Sequence, residues 1–316
     1  MPKIAAIVQG NVREGTLEII EELSRHFDHV ILSAWEADRD KAPVGDYVRI
    51  FNKRPANEGA TNRNLQRWST CSGLRSAAEL NCEFVLKWRT DLLPIKLDRE
   101  ALLGWAHHAT PAGFPSRLVM CPFRQLSVTP DWFSSFPDFF AFGHIEMVRL
   151  LWEAPGFDFE LPLNVPPGMR SLPGFAIRQN RLFLNDIDVT ISYNAHNECY
   201  AWFKENLQKQ IQREITHREV VREFLALPDH RRWRICWFGD RRFRAINQAS
   251  DLGWLSERQW RTDQLPAPRP LTLLNGTVPS FLGQLRNTFV TKWEIFLQKL
   301  WWRAYRRRRK FGRRAS

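Results

Sequence analysis

The sequence predicts an α/β fold built on a mainly parallel sheet, and three observations predict it. Short apolar runs alternate with amphipathic helical stretches from residue 4 to residue 91. Each run ends abruptly in glycine or polar residues, as strands do at a ligand-bearing sheet edge. The chain of 316 residues is 44% hydrophobic and 25% charged, the usage of a globular protein with a substantial core.

Ile4-Ala5-Ala6-Ile7-Val8 reads as a buried strand stopped by Gln9-Gly10. A helix follows from Thr16, with Leu17, Ile20, Leu23 and Phe27 on one stripe. His29-Val30-Ile31-Leu32-Ser33 is the second strand, and Tyr47-Val48-Arg49-Ile50-Phe51 the third. Leu65, Trp68, Cys71, Leu74 and Ala78 recur at helical spacing and predict a helix from Asn64 to Leu80. Phe84-Val85-Leu86-Lys87-Trp88 follows as a strand. The stretch from Pro111 to Pro173, rich in Pro, Phe and Trp, predicts short strands and ordered loops. A long helix is expected from Glu198 to Leu227, closed by Pro228. Beyond it come an Arg/Trp-rich stretch, His230 to Phe238, and a three-proline linker, Gln264 to Pro270. The expected organisation is a domain over 1–205, a helical and Arg/Trp-rich extension over 206–279, and an amphipathic helix with a basic tail over 280–316.

The net charge of +12 is unevenly placed. Arg303, Arg306, Arg307, Arg308, Arg309, Lys310, Arg313 and Arg314 supply eight positive charges, so the body without them falls from +12 to +4. A body so mildly basic argues against nucleic acid as a partner, since phosphate binding needs a cationic footprint. Upstream of the basic run, Leu282, Leu285, Phe289, Trp293, Phe296 and Leu300 form one apolar stripe, and Trp301, Trp302 and Tyr305 follow it. Interfacial aromatics beside Arg306, Arg307, Arg308, Arg309 and Lys310 predict contact with an anionic membrane surface. The alternative is a helix packed on the protein's own core. No apolar stretch reaches the length of a membrane span, and the first residues carry no signal-peptide pattern. The five cysteines are scattered without metal-ligand spacing and read as reduced thiols of a cytoplasmic protein.

The richest chemistry lies at Lys87-Trp88-Arg89-Thr90-Asp91, where the fourth strand ends. In an extended chain Lys87, Arg89 and Asp91 project to one side. Two cations and a carboxylate there suit a sugar-nucleotide diphosphate, with Asp91 also placed to hold Mg²⁺ or Mn²⁺. The alternative is a salt-bridged strand end. Gln9 and Gly10, together with Ser33 and Trp35, end the first two strands and belong to the same edge, Gly10 admitting a nucleotide close to the backbone. Neither a dinucleotide glycine fingerprint nor a P-loop is present. Asp131 and Asp138 stand beside aromatics, a way to hold a sugar or else the polar ends of a Phe-rich core strand. Glu198, at a helix start, is a candidate base toward an acceptor hydroxyl, or else favours the helix dipole.

These segments, in their order and spacing, resemble the WavE-type lipopolysaccharide synthesis family. The matching pieces are Ile7-Val8-Gln9-Gly10, Ile31-Leu32-Ser33-Ala34-Trp35 and Asn62-Arg63-Asn64-Leu65-Gln66. Val85-Leu86-Lys87-Trp88-Arg89-Thr90-Asp91, Asp138-Phe139-Phe140-Ala141-Phe142-Gly143 and Glu198-Cys199-Tyr200 complete them, covering roughly residues 1–205. The resemblance implies a GT-A-like nucleotide-sugar-binding fold and a bacterial glycosyltransferase. Its donor would be a nucleotide-sugar, and its acceptor a lipopolysaccharide core or other lipid-linked oligosaccharide. Its place would be the inner face of the inner membrane. It implies Asp91 as the carboxylate at metal or donor, Asp138 and Glu198 as further catalytic groups, and Arg63 among the donor-binding residues. The chain departs from D-x-D metal-binding enzymes in that its Asp186-Ile187-Asp188 lies late and without such context.

Overall fold

A computed structural model describes residues 1–13, 15–56, 58, 62–120, 124–125, 134–135, 139–153, 173–178, 181–184, 187–188, 195–216, 219–226, 234–237 and 244–245. The first strand, β1 (Ile4–Gln9), is buried along its whole length, as expected of an apolar run covered on both faces. Helix α1 (Thr16–Leu23) returns the chain to β2 (His29–Trp35), and a short 3₁₀ segment, Glu36–Lys41, leads to β3 (Val48–Asn52). Helix α2 (Arg63–Glu79) then crosses back to β4 (Phe84–Arg89), followed by β5 (Leu92–Lys96) and α3 (Arg99–His107). All the strands expected up to Trp88 are present within a residue or two of their expected limits. The stripe of α1 is rotated, however: Thr16, Ile19, Ile20 and Leu23 are buried, and Leu17 lies at the margin.

The middle of the chain contributes β6 (Leu118–Met120), a two-stranded ribbon of β7 (Arg124–Gln125) and β8 (Ser134–Ser135), β9 (Ala141–His144) and α4 (Ile145–Trp152). A three-stranded antiparallel meander follows, β10 (Phe175–Arg178), β11 (Arg181–Leu184) and β12 (Ile187–Asp188), and then α5 (Ala195–Ile211). The last described strands are β13 (Leu225–Ala226), β14 (Arg234–Trp237) and β15 (Arg244–Ala245).

The main sheet has seven strands in the order β13-β6-β9-β4-β1-β2-β3. β1, β2, β3 and β4 pair in parallel, and β13 is parallel to β6. Strand β9 alone runs against its neighbours, inserted antiparallel between β4 and β6. The two faces of β4 separate the helical layers. Phe84 meets His107 of α3 edge-on, while Lys87, an odd number of residues along, lies on the ring of Trp152 in α4. Helix α2 shares the α4 face: Gly73 sits against Ile7, whose register partner on β4 is Lys87. The Phe-rich segment before α4 is a core strand, with Phe142 stacked on Phe84 and Phe140 on Trp88.

The long helix expected over 198–227 is instead two pieces. Helix α5 stops at Ile211, where Gln212 takes a positive φ of 55°, and a π-helical turn spans Val220–Phe224. The reason is local: Thr216-x-x-Glu219 is a capping box that starts a new helical segment. Thr216 donates its N–H to the Glu219 carboxylate at 2.7 Å, and the Glu219 N–H donates to the Thr216 hydroxyl at 3.2 Å. That backbone bond, with those from Arg213 and the Thr216 hydroxyl, holds the Glu219 carboxyl down at about 2. Leu225 and Ala226 then leave the helix to pair with β6. Arg117 fixes this edge, donating to the carbonyls of Ala109, Arg222 and Leu225 at 2.6–3.3 Å. The boundary expected at residue 205 falls within α5, and both β13 and β14 pair with strands from the first 120 residues.

Cys71 and Cys82 are free and buried, and burial raises both thiols, that of Cys71 up to about 12. Among the described residues, no helix is long and apolar enough to cross a membrane.

Candidate functional site

The order of strands reverses beside β1. From β1 the chain builds outward through β2 to β3, then returns to lay β4 on the other side of β1. Connections diverge at such a switch point and leave a crevice beyond the carboxyl ends of the two strands. Gln9, at the end of β1, is in register with both Ser33 of β2 and Arg89 of β4. β1 and β4 therefore end level while β2 runs on to Trp35, and a cleft of about 440 Å³, its open mouth included, lies above them.

The loop after β1 forms one wall. Gly10 turns the chain at φ 124°, a conformation other residues rarely adopt, and donates its N–H to the Ser33 carbonyl at 3.1 Å. A Cβ at this position would stand 2.9 Å from the Thr90 hydroxyl, so the loops after β1 and β4 are in close approach. Side chains pin the rest of the loop. Asp38 accepts from the Val12 N–H at 3.1 Å, Thr16 from the Arg13 N–H at 2.9 Å, and Asn11 from the Arg54 guanidinium at 2.9 Å. The same guanidinium lies 5.4 Å from the ring centre of Trp35, which lines the cleft from the end of β2. Asn62, Leu65 and Gln66, at the start of α2, complete that side.

The floor is Arg89, Thr90 and Asp91. Beyond Arg89 the chain turns, and Asp91 folds back on the arginine. Arg89 donates from Nε to Oδ1 and from a terminal nitrogen to Oδ2, both at 2.8 Å. This is a bidentate fork, the strongest common geometry for a guanidinium and a carboxylate. Asp91 is only 3% exposed, whereas the Arg89 side chain is 20% exposed. Arg13, exposed at the rim, makes no side-chain hydrogen bond or ion pair with a described residue. With two guanidinium groups against one carboxylate, the charged side chains of the lining carry a net +1.

Of the residues expected at this edge, Gln9, Gly10, Trp35, Arg89 and Asp91 meet in the cleft. Two do not. Lys87 is 0% exposed, its ammonium 5.2 Å from the Trp152 ring centre, one strand repeat below Arg89 and beneath α4. Ser33 is buried as well, its hydroxyl accepting from Asn52 at 2.9 Å. Arg63 opens α2 and Glu198 lies in the first turns of α5, but their side chains are outside the described set. Asp131, Asp138 and residues 280–316, with Trp301, Trp302, Arg306, Arg307, Arg308, Arg309 and Lys310, also lie outside it. Asn11 and Arg13 were not legible as site residues, although the polar run Gln9-Gly10-Asn11-x-Arg13 after an apolar strand is their signal.

Among the described residues the cleft offers a divalent cation one carboxylate, and that carboxylate is paired with Arg89. Mg²⁺ and Mn²⁺ take several hard oxygen ligands, usually including carboxylates. Among the described residues, Asp91 is the one carboxylate lining the cleft, and Arg89 occupies both its oxygens. No group of three or more His, Cys, Asp or Glu side chains with metal-binding geometry occurs among the described residues.

No protein-family model matches the chain, so the WavE-type resemblance remains one of motifs, and no curated protein matches it. Among solved structures the chain is similar to a mannose-1-phosphate geranyltransferase from Thermus thermophilus, at 14% identity and a TM-score of 0.31. That match covers 51% of this chain and 66% of the other, just under two thirds. It is also similar to a glycosyltransferase involved in the glycosylation of the major capsid of PBCV-1, at 12% identity and a TM-score of 0.30, over 52% of this chain and 72% of that one. At these TM-scores neither likeness decides fold or activity, and the α/β assignment stands on the sheet itself.

Proposed function

We propose that the chain is a glycosyltransferase whose cleft binds a nucleotide-sugar. One observation carries this reading: at the switch point of a parallel sheet, two guanidinium groups, the close-approach backbone of Gly10 and the Trp35 ring line one cleft. Arg13 and Arg89 suit the diphosphate, and Trp35 suits the base or ribose. The transfer breaks the bond between the sugar's anomeric carbon and the diphosphate oxygen, and the electron pair stays on that oxygen. A hydroxyl oxygen of the acceptor forms the new bond to the anomeric carbon, and its proton is released to solvent. What the cleft contributes is positive charge fixed where the leaving diphosphate gains negative charge.

The test is thermal denaturation of the full chain with UDP-, GDP-, CMP- and ADP-sugars. A ligand at about 100 times its dissociation constant stabilises by about 2.7 kcal/mol, so the true donor is expected to raise the midpoint by several degrees. If no nucleotide-sugar moves it, the reading fails.

The finer reading is that the acceptor is a lipopolysaccharide core or other lipid-linked cell-surface saccharide, reached at an anionic membrane surface. What supports it is the apolar stripe from Leu282 to Leu300 and the basic run after it. Each Lys or Arg held near anionic lipid contributes about 1 kcal/mol, screened by salt. The full chain is expected to sediment with anionic vesicles at low salt, and a chain ending at Leu300 to stay in solution. Equal sedimentation of the two removes the tail from any membrane role.

A further inference from the structure

We infer that the buried part of the cleft recognises neutral hydroxyls, a vicinal diol of the ribose or of the transferred sugar, through Gln9, Trp35 and Thr90. This rests on the nucleotide-sugar reading and specifies what that same site reads besides phosphate. The burial, the placement and the chemistry of these three residues carry it.

Buried polar groups nearly always find a partner inside the protein, so an exception calls for an explanation. Gln9, Trp35 and Thr90 are 4%, 1% and 3% exposed, and all three line the cleft. One end of the Gln9 amide meets the Ser69 hydroxyl of α2 at 2.9 Å. The other end has no hydrogen-bond partner among the described residues, and neither does the Trp35 indole N–H or the Thr90 hydroxyl. The sheet brings the three together. Gln9 is in register with Ser33, and Trp35 lies two residues beyond Ser33, so Gln9 and Trp35 share the face that α2 covers. Thr90 comes from the strand on the other flank of β1, and a Cβ on Gly10 would stand 2.9 Å from its hydroxyl. Packing at this depth fixes the side chains before any ligand arrives.

The chemistry of the set favours hydroxyls. Trp35 has little ring face to offer, because the Arg54 guanidinium lies 5.4 Å from the ring centre, and its N–H is the contact it brings. That N–H only donates, whereas the Thr90 hydroxyl both donates and accepts. The unbonded end of the Gln9 amide donates or accepts according to which end Ser69 holds. A ligand hydroxyl, donor and acceptor at once, answers all three, while a phosphate oxygen only accepts. A ligand lacking the hydroxyl leaves these groups buried and unpaired, which makes such a site discriminating.

The experiment is calorimetric titration of the full chain with UDP, GDP, CDP and ADP and their sugar conjugates. The one that binds is then compared with its 2′-deoxy and 3′-deoxyribose forms and with its deoxysugar forms. Loss of the recognised hydroxyl is expected to weaken binding about tenfold or more, and whether ribose or sugar shows the loss tells which ring supplies the diol. Thr90→Val keeps the shape and removes the hydroxyl. It is expected to weaken the full ligand about tenfold and the deoxy ligand by less than about twofold, since the partner is already gone. Its melting midpoint without ligand is expected not to fall, because that hydroxyl bonds no described residue. Trp35→Phe is expected to show the same split between full and deoxy ligand. An earlier melt of Thr90→Val, with discrimination between the ligands unchanged, assigns Thr90 to the fold and overturns the inference. Deoxy ligands of both kinds that bind within about twofold of their parents also overturn it and leave the nucleotide-sugar reading standing. Binding of no nucleotide and no nucleotide-sugar overturns both.

Discussion

Arg89→Gln is expected to lower turnover about 10²–10³-fold at saturating donor and acceptor, a loss of about 3–4 kcal/mol of transition-state stabilisation. Glutamine keeps hydrogen-bonding capacity but removes the charge that faces the leaving diphosphate. It also removes two charge-assisted bonds from Asp91, a carboxylate 3% exposed, so the variant is expected to melt earlier. The double variant Arg89→Gln/Asp91→Asn separates these two consequences. A neutral amide pair relieves the buried charge, so stability is expected to recover while turnover stays low. Melting midpoints and turnover per folded molecule measure the two quantities independently. If Arg89→Gln retains turnover within about threefold of the parent, the charge has no part in the chemistry.

The second large effect concerns how α2 is seated. A Cβ on Gly73 would lie 2.3 Å from Cγ2 of Ile7 and 3.2 Å from its Cγ1, deep in the core beneath β1. Overfilling of this kind costs about 1–3 kcal/mol, against which alanine returns up to about 1 kcal/mol of helix propensity. Gly73→Ala is therefore expected to destabilise by about 2 kcal/mol in denaturant titration. Ile7→Ala alone costs about 2–5 kcal/mol for the cavity it leaves. Combined, the two should cost less than their sum by about 1–3 kcal/mol, because the alanine methyl fills space the isoleucine vacates. Strict additivity would show that helix and strand are not in this contact. The effect reaches the site, since α2 carries Asn62, Leu65 and Gln66 to the cleft wall. Nucleotide affinity is expected to fall with Gly73→Ala even though no ligand contact is changed.

The sheet was legible where burial leaves a simple imprint. β1, β2 and β4 are covered on both faces, so their sequences are continuous apolar runs with clear ends. The common edge of Gln9, Trp35 and Arg89 followed from those ends and the parallel pairing. What alternation misjudged was the last two residues of the fourth strand's motif. Period-two reasoning put Lys87 beside Asp91, but the strand stops at Arg89 and the turn brings Asp91 back onto it, leaving Lys87 under α4. Arg13 was not legible because its loop is held by Thr16 nearby and by two side chains distant in sequence, Asp38 and Arg54. The break after α5 had a local signal in Thr216 and Glu219, outweighed by the apolar spacing that carried a helical reading through to Leu227.

The insertion of β9 between β4 and β6 has a consequence for the order in which the molecule is made. Every described residue lining the cleft lies between Gln9 and Asp91, and the parallel pairings among β1, β2, β3 and β4 need nothing later in the chain. Strand β6, emerging next from the ribosome, has no place against β4 until β9 has been synthesised to join them. Its outer edge then waits for Leu225 and Ala226. A nascent chain thus carries a nearly finished cleft while one side of its sheet is still an open edge, the kind that pairs with other chains. Until residues 225–226 arrive, β6 has no strand on its outer edge.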